Sequence, residues 1–275
     1  LRFRKETLDM GLRFADRGHY LGIAPMIMGG MSAPITLAGT VTLIVAEVLA
    51  SIFAVNAITG EKGGFFGHGS HTNDPRSMLC SFGSPNQALI AVATAQMAKF
   101  YGVGSGSNTA LSDSLMPDFQ CGFEKTFSAL FGALSGSVSI GCQGIAGADQ
   151  GFSFEQLVLD NEWLDAYNYV ISGFEVNEET IAQELINTIG IGGNFIAEEH
   201  TGEYLRSSWW PSDIFKRDSF DNWVSAGGKD SLARAHEKVL EYTKDYKEQK
   251  PVISQDKFDM LEKIVEEGMK KILEI

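Results

Sequence analysis

Three residues that commonly bind metals follow one short apolar segment of the chain. His68, His71 and Asp74 recur at three-residue spacing in a polar loop after the segment GFFGH. Two imidazoles and a carboxylate are donors that zinc accepts. The spacing is compatible with a metal-dependent hydrolase, although histidines in a polar loop are more often hydrogen-bonding groups. The alternative hypothesis is that no metal binds and that His68 belongs to a substrate pocket.

Two adjacent tryptophans belong to a second group of residues that could bind a ligand. Trp209 and Trp210 stand directly before a proline, and Glu198, Glu199 and His200 lie a few residues earlier. The faces of Trp rings attract desolvated cations, including quaternary ammonium groups. Carboxylates could supply the charged side of such a pocket. The pattern predicts that Glu199, His200, Trp209 and Trp210 bind an organic cation. Packing of the tryptophans between tail and main domain is the alternative.

The glycine-rich motifs do not indicate a nucleotide site. GVGSG opens a loop without a helix directly after it, and GIGGNF precedes a predicted strand rather than following one. The sequence contains no phosphate-binding G-x-x-x-x-G-K-[ST] motif and no G-x-S-x-G nucleophile elbow. Nucleotide binding and serine hydrolysis are therefore disfavoured.

Composition restricts the partners. The chain has 275 residues, 44% of them hydrophobic, and a formal net charge of -13. This charge would repel nucleic-acid phosphates and anionic membranes, so small molecules and proteins are the expected partners. Three cysteines without a C-x-x-C spacing, Cys80, Cys121 and Cys142, predict reduced thiols and a cytoplasmic location. The charged opening LRFRKETLDM does not resemble a secretory signal.

One stretch has the length and hydropathy of a membrane span. It runs from Ile35 to Ala57 and carries Glu47 near its centre. A charge at the centre of a bilayer is unfavourable, whereas it can lie at the rim of a protein core. We therefore expect a core helix that covers a sheet, and no membrane insertion.

A repeated order of elements predicts the fold. Short apolar segments are each followed by a polar loop and, in the first four cases, by a helix; the segments are Gly22–Met28, Gly64–His68, Gly102–Ser105, Ser137–Gly141 and Asn194–Ala197. The helices are expected at Leu37–Val55, Asn86–Tyr101, Phe119–Leu134 and Phe154–Val170. This order is typical of an α/β fold with a parallel sheet, either doubly wound or a barrel. Polar loops after the strands favour the (β/α)8 TIM barrel.

The five predicted strand–helix units are fewer than the eight of a TIM barrel, which predicts that the chain is the C-terminal portion of such a barrel. We expect residues 1–218 to form this partial barrel. A helical insertion is predicted at Glu178–Thr188, capped by Asn177 and ended by Gly190. Residues 219–275 are expected to form a helical extension that packs on the barrel or on a partner subunit. Its helices are predicted at Ser219–Ser225, Ser231–Glu248 and Asp256–Ile275.

Several long motifs resemble one enzyme family, the trimethylamine methyltransferases of methylamine-using archaea and bacteria. They are GGMSAPITLAGTVTLIVAEVLA, SDSLMPDFQCGFEKTFSALFGALSG, FSFEQLVLDNEW, NFIAEEHTGEYLRSSWWP and WVSAGGKDSLARAHEKV, and they extend from about Gly18 to Val239. The resemblance implies a TIM-barrel enzyme that transfers a methyl group from a methylated amine to Co(I) of a separate corrinoid protein. Family members are about twice as long as this chain.

One difference from the trimethylamine enzymes narrows the range of expected substrates. Trimethylamine enzymes carry pyrrolysine in a loop that corresponds to the region around Ser114–Met116, but no lysine-like residue stands between Tyr101 and Glu124. The chain is more similar to the branch without pyrrolysine, which includes demethylases of quaternary amines such as glycine betaine. A non-catalytic protein that binds quaternary amines is an open alternative.

The resemblance suggests roles for the central loop. When a quaternary ammonium loses a methyl group, the leaving group is a neutral amine. Positioning and desolvation of the substrate should therefore contribute more to the reaction than acid–base catalysis. Asp113, Gln120 and Glu124 are the candidate catalytic groups, and Ser112 and Gln143 could help Gln120 to orient a substrate carboxylate. We expect no tightly bound cofactor, because the corrinoid belongs to the partner protein, and we expect a homo-oligomer.

Overall fold

The computed structural model describes residues 2–60, 62–106, 108–141, 143–244, 246 and 252–273. The fold is mixed α/β, and the chain divides into two compact units, Leu1–His236 and Glu237–Ile275. The division expected after residue 218 stays a prediction. Cys80 and Cys121 are free thiols, whereas Cys142 lies outside the described residues.

The long helices of the first unit are α1 (Lys5–Ala15), α2 (Leu37–Thr59), α3 (Pro85–Tyr101), α4 (Phe119–Leu134) and α5 (Phe154–Ser172). The helices α2 to α5 begin and end close to the predicted residues. Local capping explains the agreement: the side chain of Asp118 accepts a hydrogen bond from Cys121 N at the start of α4, and Ser153 accepts one from Gln156 N at the start of α5. The four helices expected after the first four strands are confirmed.

The strands are shorter than predicted. They are β1 (Met28–Gly29), β2 (Phe65–Gly67), β3 (His71–Asn73), β4 (Cys80–Ser81), β5 (Gly104–Gly106), β6 (Ile145–Ala146) and β7 (Gly151–Phe152). The fourth predicted strand is reduced to one parallel bridge, between Ser139 and Gly106. The fifth predicted strand, Asn194–Ala197, does not form, so this prediction was wrong. The carbonyl oxygen of the Asn194 side chain accepts a hydrogen bond from Ile196 N at 2.9 Å, which turns the backbone away from an extended path.

Segments that follow one another in the chain are also neighbours in space. β1 pairs in parallel with β3, β2 pairs in parallel with β5, and Gly106 at the end of β5 forms the parallel bridge to Ser139. β3 and β4 form an antiparallel pair, as do β6 and β7. The described strands form three separate sheets, β1–β3–β4, β2–β5 and β6–β7, and the segment 65–73 runs through the first two of them. Because parallel strands point the same way, the loops after the first four predicted strands leave from one side. We call this side the loop edge.

The core lies where α2 and α3 cover the sheet. Ile44 and Val48 of α2 pack with Phe66 of β2 and Ile90 of α3 in one buried cluster. By length and composition, α2 is also the one helix of the described residues that could cross a membrane, and 22% of its most apolar window is buried. One face of α2 therefore joins the core, while its opposite face is largely open.

Six further helices follow α5 in the described residues. They are α6 (Glu178–Ile181), α7 (Gln183–Ile189), α8 (Glu199–Tyr204), α9 (Phe220–Ser225), α10 (Ser231–Thr243) and α11 (Gln255–Leu273). The predicted insertion helix is divided at Ala182, which has a left-handed φ of 53°. Asn177 caps α6 as expected, with reciprocal hydrogen bonds to Thr180. The predicted ends at residues 248 and 275 lie outside the described residues.

Candidate functional site

The loop edge carries a group of polar side chains that are joined by hydrogen bonds. Four loops meet there, at residues 30–36, 74–84, 108–118 and 140–153, and we number them one to four. Loop one approaches β3 closely, because a Cβ atom at Gly30 would lie 2.3 Å from Oδ1 of Asn73. Gly30 also has a left-handed φ of 91°, so this approach requires glycine.

Asp113 ties loop three to loop two. Its carboxylate accepts hydrogen bonds from Phe82 N at 2.8 Å, Gly83 N at 3.0 Å and Ser81 Oγ at 3.4 Å. Burial raises the pKa of Asp113, and the negative charge of Glu124 adds to this rise, while the two backbone donors oppose it. The side chain thus holds the backbone of a neighbouring loop.

Glu124 holds loop three itself. Its Oε2 atom accepts hydrogen bonds from Ser112 Oγ at 2.8 Å and Asp113 N at 2.9 Å, and its Oε1 atom accepts one from Gln120 Nε2 at 2.8 Å. The structure therefore brings the candidate catalytic residues Asp113, Gln120 and Glu124 together. Both carboxylates have protein donors on both oxygens, which suits them to positioning the loops rather than to proton transfer.

A buried ion pair that the sequence analysis missed fixes loop four. Nζ of Lys125 in α4 lies 3.1 Å from Oδ2 of Asp160 in α5, and both side chains are completely buried. Lys125 Nζ also donates to the Ile145 carbonyl at 2.6 Å, and Asp160 accepts from Gly144 N at 2.8 Å. One feature of the sequence could have pointed to this lysine: Lys125 is the single Lys or Arg between residues 99 and 206.

Further groups complete the surroundings of Asp160. Its Oδ1 atom accepts hydrogen bonds from Gln156 Nε2 at 2.7 Å and Trp163 Nε1 at 2.9 Å. Gln156 in turn accepts a hydrogen bond from the buried thiol of Cys121. The hydrogen bonds that Asp160 accepts compensate the loss of water around its buried carboxylate.

Backbone hydrogen bonds join loops three and four directly. Gly147 N donates to Ser114 O at 2.7 Å, and Ala148 N donates to Ser112 O at 2.9 Å. The side chain of Ser112 is fully buried and engaged with Glu124. Gln143 lies in loop four beside the anchored Gly144 and is partly exposed. Loops two, three and four are therefore one connected structure.

Each of the three residues of the metal hypothesis contacts another protein group, and Nε2 of His71 is buried without a hydrogen-bond partner within the described ranges. His68 Nδ1 accepts from Ser70 N at 3.2 Å, so the proton lies on Nε2, which is 3.1 Å from Thr94 Oγ1. Burial lowers the pKa of His68 to about 4. His71 Nδ1 lies 3.1 Å from the Gly69 carbonyl, and Asp74 Oδ1 accepts a hydrogen bond from Arg76 N at 2.7 Å. Among the described residues, no group of three or more His, Cys, Asp or Glu could hold a metal ion.

The tryptophan pair lies elsewhere in the first unit, against α5. Trp210 Nε1 donates to Asp165 Oδ2 at 2.8 Å, and the Arg217 guanidinium lies 5.5 Å from the centre of the Trp210 ring. Trp210 therefore does face a cation, but the cation belongs to the protein. Trp209 is about half exposed.

Glu199 and His200 lie in α8. The ring of His200 packs at a tilt of 37° against the ring of Tyr204, with centroids 4.7 Å apart, and Glu199 is exposed at the start of the helix. In the part of the chain that the structure describes, no hydrogen bond connects Glu199, His200 or either tryptophan with the Asp113 group. The predicted site residues thus form two separate groups.

Fold and site together define a mixed α/β protein whose main polar group is built on loops at the carboxyl edge of parallel strands. The model of the trimethylamine methyltransferase family matches residues 1–272. The chain belongs to this family.

Individual relatives agree with this assignment. Trimethylamine methyltransferase MttB1 of Methanosarcina mazei is 37% identical over 244 residues, 88% of this chain and 48% of the relative. Trimethylamine methyltransferase MttB of Methanosarcina barkeri is 36% identical over 96% of this chain and 52% of its own length. A glycine betaine methyltransferase of Desulfitobacterium hafniense strain Y51 is 30% identical over 90% of this chain and 51% of its own length. The chain spans about half the length of the curated relatives it matches.

Proposed function

We propose that this chain forms part of a methyltransferase that moves a methyl group from a methylated amine to the Co(I) centre of a separate corrinoid protein. Membership of the trimethylamine methyltransferase family supports this proposal, as do relatives named for trimethylamine and for glycine betaine. Within this class we favour a quaternary amine such as glycine betaine, because loop three contains no lysine-like residue.

The chemistry of the loop edge fits a quaternary substrate. When its methyl group is transferred, the carbon–nitrogen bond breaks and its electron pair remains on nitrogen as a neutral tertiary amine. No proton has to be delivered to the leaving group, so the protein needs to bind, orient and desolvate the substrate. Asp113 accepts hydrogen bonds from loop two on both of its carboxylate oxygens, and Glu124 accepts them from Asp113 N in loop three and from Gln120 in α4, as expected for groups that position the site. This observation is compatible with a quaternary amine, and the absence of a lysine-like residue from loop three carries the preference.

The corrinoid would supply the cobalt nucleophile and would be brought by the partner protein. The exposed side chains of loop three include the apolar Leu115 and Met116, which could lie against such a partner. Asp113 and Glu124 would keep loop three in place, and Lys125 with Asp160 would do the same for loop four.

We also infer that the family fold is a (β/α)8 barrel to which this chain contributes. The support is the order of its parallel neighbours: the segments at 25–29, 65–73, 104–106 and 139 lie side by side in chain order, as successive barrel strands do. The homo-oligomer and the cytoplasmic location stay predictions.

A direct assay tests the proposed function. The full-length protein is mixed with its corrinoid protein reduced to Co(I), and glycine betaine, carnitine, proline betaine or trimethylamine is added. Loss of the Co(I) absorbance, with release of one demethylated amine per methyl group transferred, is the expected result for a quaternary amine. If none of the four amines changes the absorbance, the function is wrong. If trimethylamine alone reacts, the choice of a quaternary substrate is wrong.

A further inference from the structure

Several buried polar atoms next to loop two have no hydrogen-bond partner in the described part of the protein. They are His71 Nε2, Asn73 Oδ1, Gln87 Oε1 and Thr109 Oγ1. Each of the four side chains is more than nine-tenths buried. Buried polar groups in proteins are almost always paired, so four unpaired atoms in neighbouring elements require an explanation. We call these four residues the acceptor group.

Gln87 of α3 connects two members of the acceptor group. Its Nε2 atom donates to the Ser70 carbonyl at 3.1 Å and to the Asn108 carbonyl at 2.6 Å. Ser70 directly precedes His71, and Asn108 directly precedes Thr109. Because both partners are carbonyl oxygens, they fix the NH2 end of the amide, and the Oε1 atom is an acceptor. Gln87 therefore offers a lone pair close to His71 and Thr109.

His71 offers a second lone pair. Its Nδ1 atom lies 3.1 Å from the Gly69 carbonyl, which can only accept, so the proton of the neutral ring lies on Nδ1 and Nε2 is an acceptor. Asn108 Nδ2 donates to the same carbonyl at 3.3 Å, which brings the start of loop three next to His71. The ring of Phe82 packs on the imidazole, with centroids 4.3 Å apart. Because Asp113 holds the N–H of Phe82, the acceptor group lies next to that anchor.

Asn73 and Thr109 complete the acceptor group. Asn73 follows His71 by two residues in β3, so both side chains lie on one face of the strand. Its Nδ2 atom donates to Met78 Sδ at 3.7 Å, and its Oδ1 atom remains an acceptor. The Thr109 hydroxyl can donate and accept, but it bonds to none of the other three atoms. Three lone pairs and one hydroxyl are thus left unpaired by the protein groups that the structure describes.

This excess of acceptors indicates the chemistry of a ligand. An anion would be repelled by the three lone pairs, and a divalent metal ion would find no negatively charged ligand, because all four side chains are uncharged in this arrangement. A small group that donates N–H or O–H bonds would pair the acceptors and remove the unfavourable free energy of leaving them unpaired.

We infer that the acceptor group binds a compact hydrogen-bond donor, supplied by internal water or by an ammonium ion. Internal water typically makes about three hydrogen bonds to groups of this kind, and ammonium has four N–H bonds to donate. The bound donor would join β3, α3 and the start of loop three. It would therefore support loop three from the side opposite to Glu124, whether or not the protein transfers methyl groups.

Thermal unfolding of the full-length protein tests the inference. Thr109→Val removes the hydroxyl and keeps the shape of the side chain. If the hydroxyl contacts a bound donor, this change should lower the melting temperature by about 1–3 °C. If the hydroxyl has no partner, the change removes a buried unpaired group and should raise the melting temperature. An unchanged or raised melting temperature would overturn the inference.

Thr94→Val is the matched control. Thr94 is also buried in the first unit, and its hydroxyl donates to the Ile90 carbonyl at 2.8 Å. The control therefore shows how far the melting temperature falls when a paired buried hydroxyl is lost. We expect Thr109→Val to resemble it in sign and size. Thr109→Ser keeps the hydroxyl and should keep every response to the ligand.

The identity of the salt distinguishes the two sources of the donor. Melting temperatures are compared in ammonium chloride and potassium chloride at equal concentration, because both cations are small but only ammonium donates hydrogen bonds. A higher value in ammonium, retained in Thr109→Ser and reduced in Thr109→Val, would identify ammonium as the ligand. Equal values, with an ordered water at hydrogen-bond distance from His71 Nε2 and Gln87 Oε1 in a crystal structure, would identify water. Equal values without such a water, or a higher value in potassium, would overturn the inference.

Discussion

Lys125 and Asp160 form a completely buried ion pair with a distance of 3.1 Å between Nζ and Oδ2. Each partner also holds one backbone group of loop four, the Ile145 carbonyl and the Gly144 N–H. The pair therefore connects α4, α5 and loop four. Lys125 is next to Glu124, whose carboxylate holds loop three, so two adjacent residues of one helix position two neighbouring loops.

Removal of one ion-pair partner should be strongly destabilising. We expect Lys125→Met and Asp160→Leu each to lower the free energy of unfolding by about 3–5 kcal/mol, because the remaining charge stays buried without its partner. The double variant should lose less than the sum of the two losses. Urea unfolding of all four proteins measures these energies. Additive losses would show that the two charges do not stabilise each other.

Gly83 should be intolerant of a side chain. A Cβ atom there would lie 2.1 Å from Oε2 of Glu124, so Gly83→Ala must displace the carboxylate that holds loop three. We expect a loss of about 1–3 kcal/mol in stability, as is typical of overpacking, and, if the proposed function is correct, lower methyl transfer. Gly122→Ala is the matched control, since no atom lies within 4 Å of its Cβ position in α4. The control should gain up to about 1 kcal/mol from helix propensity. Equal effects of both changes would contradict the role of the close approach at Gly83.

His68 should make the protein sensitive to acid. Its folded pKa of about 4 lies below the ordinary 6.5, so the unfolded chain binds a proton that the folded protein rejects. Stability should fall as the pH drops from 6.5 to 4, by roughly 3 kcal/mol in total. His68→Gln should reduce this loss. Unfolding free energies of both proteins across this range provide the measurement, and identical pH dependences would rule out a neutral buried His68.

Asp113 should have the opposite effect on the pH dependence of stability, over a lower range of pH. Because its folded pKa is raised above 3.8, the folded protein keeps a proton that the unfolded chain releases. The contribution of Asp113 to stability should therefore fall as the pH rises from 3.8 through the folded pKa. The stability difference between the unmodified protein and Asp113→Asn should decrease over the same range. A difference that increases with pH would indicate a lowered pKa.

Arg217 should compete with a quaternary ammonium for Trp210. Since the guanidinium already lies over the ring, a substrate cation can bind that face only after Arg217 moves. If Trp210 binds substrate as predicted, Arg217→Met should strengthen glycine betaine binding several-fold, and Trp210→Ala should weaken it. Calorimetry with each variant measures the affinities. Unchanged binding in both would place the substrate elsewhere, with the Asp113 group at the loop edge as the remaining site.

Local signals explain which elements could be predicted. The helices α4 and α5 begin where Asp118 and Ser153 cap them, and such capping depends on residues only three positions apart. The strand expected at Asn194–Ala197 was wrong because a short apolar run does not distinguish a strand from a turn. Whether such a run pairs depends on a neighbouring strand, and here the side chain of Asn194 turns the backbone instead.

The sequence by itself determined the family, through long motifs spread over most of the chain, and the main helices, through caps and apolar patterns. It also placed Asp113, Gln120 and Glu124 near one another, because they stand within twelve residues. Only the tertiary structure decided that Lys125 pairs with Asp160, 35 residues away, and that Arg217 covers Trp210. The strength of an electrostatic contact depends on distance and burial, and the packing of helices and loops sets both.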